Sequence, residues 1–274
     1  MNRQVMDQHA KGSVTWDAPL LITGCARSGT TALARLLSTH KGICICNEYS
    51  LYWPPVLEES VWHRLEGMKG DNPPPEKIAV DGQKFWMEYR TELPNPVSDE
   101  NVREWLFQKS QTSLAVYGDK MPYLYLDNIR EITARFPEAR FLLALRDGRA
   151  VVASQIRQYR LAIESGKQPM RWMCEKVSEA ESIWLRSARK ILALRNSSPA
   201  PYLEVRYEDA TRVPKETAKR ISDFVGIQYR ADEFSTFIKA YKPVNADSWR
   251  MEIPEIESQL SPEFITALRQ LGYS

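Results

Sequence analysis

The run 20–31, LLITGCARSGTT, constrains this chain most, because an apolar segment passes directly into a turn bracketed by two glycines. Leu20, Leu21 and Ile22 form the continuous apolar stretch that a strand needs when both faces of a parallel sheet are covered. Gly24 and Gly29 bound the turn, and Thr30 and Thr31 open a helix whose apolar positions are Leu33, Leu36 and Leu37. This order of strand, tight loop and helix brings the backbone N–H groups of residues 28–31 to the positive end of the helix, where they suit a phosphate. A magnesium-dependent nucleotide triphosphatase carries Gly-x4-Gly-Lys-Ser/Thr, with the lysine on the β- and γ-phosphates. Here Thr30 stands in place of that lysine, and the cation, Arg27, lies inside the loop. The loop suits a nucleotide phosphate but not ATP with magnesium. A plainer alternative is a glycine turn before a helix.

A second segment of the same kind is 141–154, FLLALRDGRAVVAS. Its apolar run predicts another buried strand, ending at Arg146 and followed by a helix from about Arg149. Arg146 offers a planar fork that matches phosphate oxygens, and Ser154, about two turns into the helix, supplies a hydroxyl. Taken alone, Arg146 reads equally well as the partner of a nearby carboxylate.

Gly24-x-x-Arg27-Ser28-Gly29-Thr30-Thr31 resembles the 5′-phosphosulfate loop of sulfotransferases that use 3′-phosphoadenosine 5′-phosphosulfate (PAPS). Arg146 and Ser154, eight positions apart, resemble the pair that grips the 3′-phosphate in that family. Three shorter matches follow the same order along the chain: Tyr117-Gly118-Asp119-Lys120-Met121-Pro122, Leu203-Glu204-Val205-Arg206-Tyr207-Glu208-Asp209, and Lys242-Pro243-Val244-Asn245 with Ser248-Trp249. In motif detail the chain is most similar to the tyrosylprotein sulfotransferases and their bacterial relatives, over roughly residues 19–249.

The resemblance implies transfer of a sulfuryl group from PAPS to an acceptor hydroxyl, leaving 3′-phosphoadenosine 5′-phosphate and requiring no metal. It assigns nucleotide contacts to Arg27, Ser28, Gly29, Thr30, Thr31, Arg146 and Ser154, with Tyr207 and Ser248 as further contacts. It makes Glu48, 21 positions after Arg27, the base that removes the acceptor proton, and gives Arg27 and Lys120 the charge growing on the leaving oxygen. Other readings stay open at this point. Glu48 reads also as a solvated loop residue, Lys120 as a surface lysine at a strand end, Tyr207 as part of a core strand, and His63 as a rival base. The tyrosylprotein branch has a further 3′-phosphate arginine where this chain has Gln158, with Arg157 one residue earlier and about 100° round the helix. Two other classes compete: a P-loop kinase, which the missing lysine opposes, and a non-catalytic 3′-phosphoadenylate-binding module, which would have no use for Glu48 and Lys120.

The remaining segments fill in an α/β fold of three layers, a mostly parallel sheet with helices on both faces. Strands are expected at 19–23, 43–46, 115–117, 141–145 and 202–206, with helices at 30–39, 101–110, 127–135, 170–195, 214–224 and 234–240. The 274 residues suit a single domain, with a loose segment at 1–16 and a proline- and aromatic-rich insertion at 49–96 acting as a lid. Tyr49, Tyr52, Trp53, Phe85 and Trp86 in that insertion are the candidate acceptor contacts, since aromatic rings stack on phenols, sugars and polyketides.

A net charge of +2 gives no case for nucleic acid or membrane surfaces. No apolar run approaches the ~20 residues of a membrane span, and the polar start of the chain points to a cytoplasmic enzyme. The partner is thus a hydroxylated acceptor, with the oligomeric state open and a homodimer among the options. Four cysteines, Cys25, Cys44, Cys46 and Cys174, and three scattered histidines form no metal motif. Cys44 and Cys46 are expected on opposite faces of a strand, Cys25 is expected to be accessible in the loop, and His40 to be a structural cap.

Overall fold

A computed structural model describes residues 19–40, 42–48, 52, 116–240 and 248–274. The apolar runs become five strands: β1 (Leu20–Gly24), β2 (Ile43–Asn47), β3 (Val116–Lys120), β4 (Arg140–Leu145) and β5 (Tyr202–Arg206). All pair in parallel, in the order β2-β3-β1-β4-β5. Strands β1 to β3 are buried along their whole length, as covering on both faces requires, whereas β5 is partly exposed at the edge.

The helices are α1 (Thr30–Leu37), α2 (Leu124–Asp127), α3 (Ile129–Arg135), α4 (Gly148–Glu164), α5 (Val177–Asn196), α6 (Tyr207–Arg212), α7 (Pro214–Val225), α8 (Ser235–Ala240), α9 (Ser248–Glu252), α10 (Ile256–Gln259) and α11 (Pro262–Gln270). One core lies between the sheet and α4, α5 and α11, where Leu143, Val152, Trp184 and Phe264 meet. The opposite face carries α1, α7 and α8 on Ile22, Leu142 and Val205. The three-layer α/β architecture is therefore as the sequence predicts.

Several boundaries differ for identifiable reasons. Strand β3 runs three residues beyond the expected 117 and closes on Lys120, the strand end where the sequence expects that lysine. The expected helix at 127–135 is two short helices broken at Asn128, whose φ of −123° lies outside the helical region. The helix expected from 170 begins at Val177, so Trp172 stands outside it. Cys44 and Cys46 share one face, because residues two apart on a strand project the same way, and both lie in the α4–α5 core as free thiols. The segment 1–16, most of the insertion 49–96 and the helix at 101–110 fall outside the described residues.

Chain order fixes where a ligand sits. From β1 the chain crosses through α1 towards β2, and from β4 it crosses through α4 towards β5, so the connections leave in opposite directions from adjacent strands. Such a switch point opens a crevice beyond the C-terminal strand ends. The loop 25–29 and Arg146 both stand there.

Candidate active site

The loop after β1 is held by close backbone approaches. Gly24, at φ 145°, sits where a Cβ would lie 2.4 Å from the Ala144 carbonyl oxygen of β4. Gly29, at φ 90°, packs under the Tyr207 ring, and a Cβ there would lie 2.7 Å from Tyr207 Cδ2. Any side chain at either position would push the loop off its neighbour. Ser28 N–H donates to the Cys25 carbonyl, and the α1 ladder begins with Leu33 N–H on Gly29. The amides of Gly29, Thr30 and Thr31 thus stand ahead of that ladder, at the positive end of the helix.

Arg27 takes a left-handed backbone, φ 74°, which a non-glycine residue adopts at a cost of about 1–2 kcal/mol. That turn points its guanidinium across the crevice, where Nε donates to Ser154 Oγ at 3.0 Å. Two residues 127 apart in sequence, one from each phosphate motif, are therefore in contact. Arg146 Nη1 donates to the Arg27 carbonyl at 3.2 Å, and its guanidinium lies 4.7 Å from the centre of the Tyr207 ring. Tyr207 thereby touches both motifs, through Gly29 and through Arg146. Burial, then the positive charges of Arg146 and Arg157, lowers the Arg27 pKa. The group is a cluster of cations and amide donors, a set that matches the oxygens of a phosphate or sulfate.

The second half of the site comes from β2 and β3. Lys120, fully buried, donates from Nζ to Glu48 Oε1 at 2.5 Å, while Glu48 is 45% exposed. Glu48 follows β2 in a left-handed conformation, φ 62°, and its N–H donates to the Lys120 carbonyl at 2.7 Å. Burial lowers the Lys120 pKa, and the Glu48 carboxylate opposes that shift. Below Lys120, Asp119 accepts from the Lys120 N–H at 2.9 Å and from Tyr125 Oη at 2.5 Å. This buried bracket fixes the strand end that carries the amine.

The structure brings together Arg27, Ser28, Gly29, Thr30, Thr31, Arg146, Ser154 and Tyr207, and sets Glu48, after β2, against Lys120 on β3, the strand next to β1. Lys120 is not the surface residue of the alternative reading. Arg157 lies one turn beyond Ser154 and pairs with Glu252 at 3.1 Å. Ser248 opens α9, its backbone alone being described. Tyr52 departs from expectation: it is 1% exposed and packs edge-on to Phe136, in the core rather than on an accessible acceptor surface. Tyr49, Trp53, Phe85, Trp86 and His63 lie outside the described residues. His40 Nδ1 accepts from Gly42 N–H, and its Nε2 meets Glu233 at 2.9 Å, a structural role.

Two features escape the sequence reading. Trp172, on the link between α4 and α5, lies with its ring centre 5.4 Å from the Arg27 guanidinium and so forms part of the wall around it. Cys25 is buried instead of accessible: Gln155, from α4, reaches its sulfur, the Ala26 carbonyl and Tyr123 Oη, and so ties the loop down from behind. Burial pushes the Cys25 thiol up to about 11. Among the described residues no cluster of three or more His, Cys, Asp or Glu could hold a metal, and no helix is long and apolar enough to cross a membrane.

A model of the sulfotransferase family matches residues 19–231, which include both phosphate motifs, Glu48, Lys120 and all five strands. The chain belongs to the sulfotransferase family. The human protein-tyrosine sulfotransferase 1 is 30% identical over 148 residues, 51% of this chain and 34% of that protein. The chain thus spans about a third of the length of that curated relative. The sulfotransferase domain from the curacin biosynthetic pathway has the same fold, covering 95% of this chain and 99% of the domain with a TM-score of 0.55 at 17% identity. The sulfotransferase domain of the Synechococcus PCC 7002 olefin synthase is similar over 95% of this chain and 96% of its own, TM-score 0.54, at 19% identity.

Proposed function

We propose that the protein is a single-domain, cytoplasmic, PAPS-dependent sulfotransferase that acts on a hydroxyl of a small molecule, carbohydrate or natural product. The observation that carries this reading is the contact of Arg27 with Ser154, which joins the two phosphate motifs into one cationic crevice. A nucleotide with phosphates at both 5′ and 3′ positions needs two such motifs, whereas ATP needs one. A kinase reading is opposed by Thr30 at the lysine position, and a mere binding module would have no use for the Glu48–Lys120 pair.

In this reading the amides of residues 28–31 and Arg27 take the phosphosulfate, and Arg146 and Ser154 take the 3′-phosphate, the Arg27–Ser154 contact giving way to phosphate oxygens. Glu48, exposed at the edge of the crevice, accepts the proton of the acceptor hydroxyl. The oxygen so freed bonds to sulfur while the bond from sulfur to the phosphate oxygen breaks. The electron pair stays on that phosphate, where Arg27, the loop amides and Lys120 stabilise it. No step needs a metal. The name of the human relative, protein-tyrosine sulfotransferase, makes peptide tyrosine the acceptor that a screen must also include.

Calorimetry in EDTA tests the nucleotide: tight binding of 3′-phosphoadenosine 5′-phosphate and weak binding of ATP are expected. Magnesium-dependent ATP binding with no response to the 3′-phosphorylated nucleotide would overturn the assignment. Transfer of labelled sulfur from PAPS into a metabolite extract, with a tyrosine peptide alongside, then identifies the acceptor class.

A further inference from the structure

Asn47 ends β2, one residue before Glu48, and is 9% exposed. Its Oδ1 is buried and has no hydrogen-bond partner among the described residues. A buried acceptor left unmade is costly, and one that persists calls for an occupant. The register pairs Asn47 with Lys120 across β2 and β3, and residues opposite each other in a parallel pair project from the same face. The orphaned amide oxygen and the Lys120 stem therefore rise side by side at the end of the sheet. An ammonium carries three donors, and among the described residues the hydrogen-bond partner of Lys120 Nζ is Glu48.

Resting on the reading of Glu48 as base, we propose that Asn47 is a positioning residue for Lys120, its Oδ1 holding the ammonium when Glu48 turns to the acceptor hydroxyl. A carboxylate that has taken a proton is no longer a counter-ion, and a fully buried ammonium with no partner tends to shed its own proton. Asn47 supplies an oxygen on the same face at that moment. Because the amide is neutral, it adds no charge to repel an incoming phosphosulfate. The groups that face Lys120 are Glu48 at the end of β2, Asp119 on β3 and Arg35 from α1: the two carboxylates favour the ammonium, and Arg35 opposes it.

The test follows the Lys120 ammonium directly. Protein labelled with 13C-lysine is titrated by NMR in the Glu48→Gln background, with the Lys120 Cε resonance assigned by its loss in Lys120→Met. Adding Asn47→Leu is expected to lower the midpoint by about 1–2 pH units, the worth of one hydrogen bond to a charged group. Adding Asn47→Asp is expected to raise it. With Glu48 intact, the alkaline limb of kcat moves in the same two directions. Midpoints unmoved by both substitutions would overturn the proposal, whatever happened to turnover, and make Asn47 a structural amide. Should Asn47→Leu fail to fold, Asn47→Asp decides alone: a raised midpoint supports the role and an unmoved one ends it. The NMR arm needs neither PAPS nor acceptor, so absence of sulfuryl transfer by the unaltered protein would count against the proposed function alone.

Discussion

On the β1–β4 side of the crevice, Arg27 and Arg146 lie close enough for their charges to oppose each other; they meet a hydroxyl, a carbonyl and two aromatic rings, with the Glu208 carboxylate close enough to act on Arg146. On the β2–β3 side, Lys120 is buried but sits 2.5 Å from a carboxylate. The first arrangement stores repulsion that a polyanion relieves. The second is neutral as a pair and acquires charge only when a proton arrives at Glu48. One fold thus holds an anion receptor beside a proton acceptor, the first built on two neighbouring guanidiniums and the second on a lysine closed by its own carboxylate.

The largest expected effect comes from breaking the neutral pair. Glu48→Gln keeps the shape but removes the basicity, so turnover should fall by about 10²–10⁴-fold with nucleotide affinity little changed. Calorimetry beside single-turnover assays checks it, and lost affinity with preserved turnover would move Glu48 to the receptor side.

On the receptor side, Arg146→Ala should weaken the 3′-phosphorylated product by roughly ten- to a hundredfold, and weaken the same nucleotide without that phosphate much less. Equal weakening of both would make Arg146 a brace for the Arg27 carbonyl. A smaller effect is expected from Trp172→Ala. Removing the indole from Arg27 costs about 0.5–1 kcal/mol, a two- to fivefold loss of nucleotide affinity. Trp172→Phe, which keeps an aromatic face, should recover most of it.

The smallest effect is on stability against pH. Lys120 is lowered from 10.5, so between its folded value and 10.5 the unfolded chain binds more protons than the native one. Stability therefore rises with pH across that window, and this contribution should vanish in Lys120→Met when urea midpoints are compared through the alkaline range.

Much of this comparison is written locally in the sequence. Strands covered on both faces favour continuous apolar runs, so β1 and β4 fall where the runs are, and the half-exposed edge strand β5 matches its expected 202–206 end to end. The phosphate loop carries its own glycines for the same reason, since the turn requires them. What depends on distant parts of the chain is not legible there. Trp172 falls within the helix expected at 170–195 but stands outside α5, and only the path of the link over the loop brings it to Arg27. Its place in the loop predicts an accessible Cys25, yet Gln155, 130 residues away, covers it. The burial of Lys120 is likewise set by neighbours on other strands. Helix α11 was within reach: Ser261 accepts from Phe264 N–H at 3.2 Å and Pro262 takes the first turn, a helix start legible as Ser-Pro-Glu.

The covered position of Cys25 has a practical consequence. All four thiols are buried, and burial holds those of Cys25 and Cys174 at about 11, so an aromatic disulfide reagent meets little thiolate in the closed molecule. Labelling must wait for a fluctuation that lifts the loop from Gln155. The reaction rate of Cys25 is then a clock built into the protein, ticking each time the loop opens and slowing when an anion pins it shut.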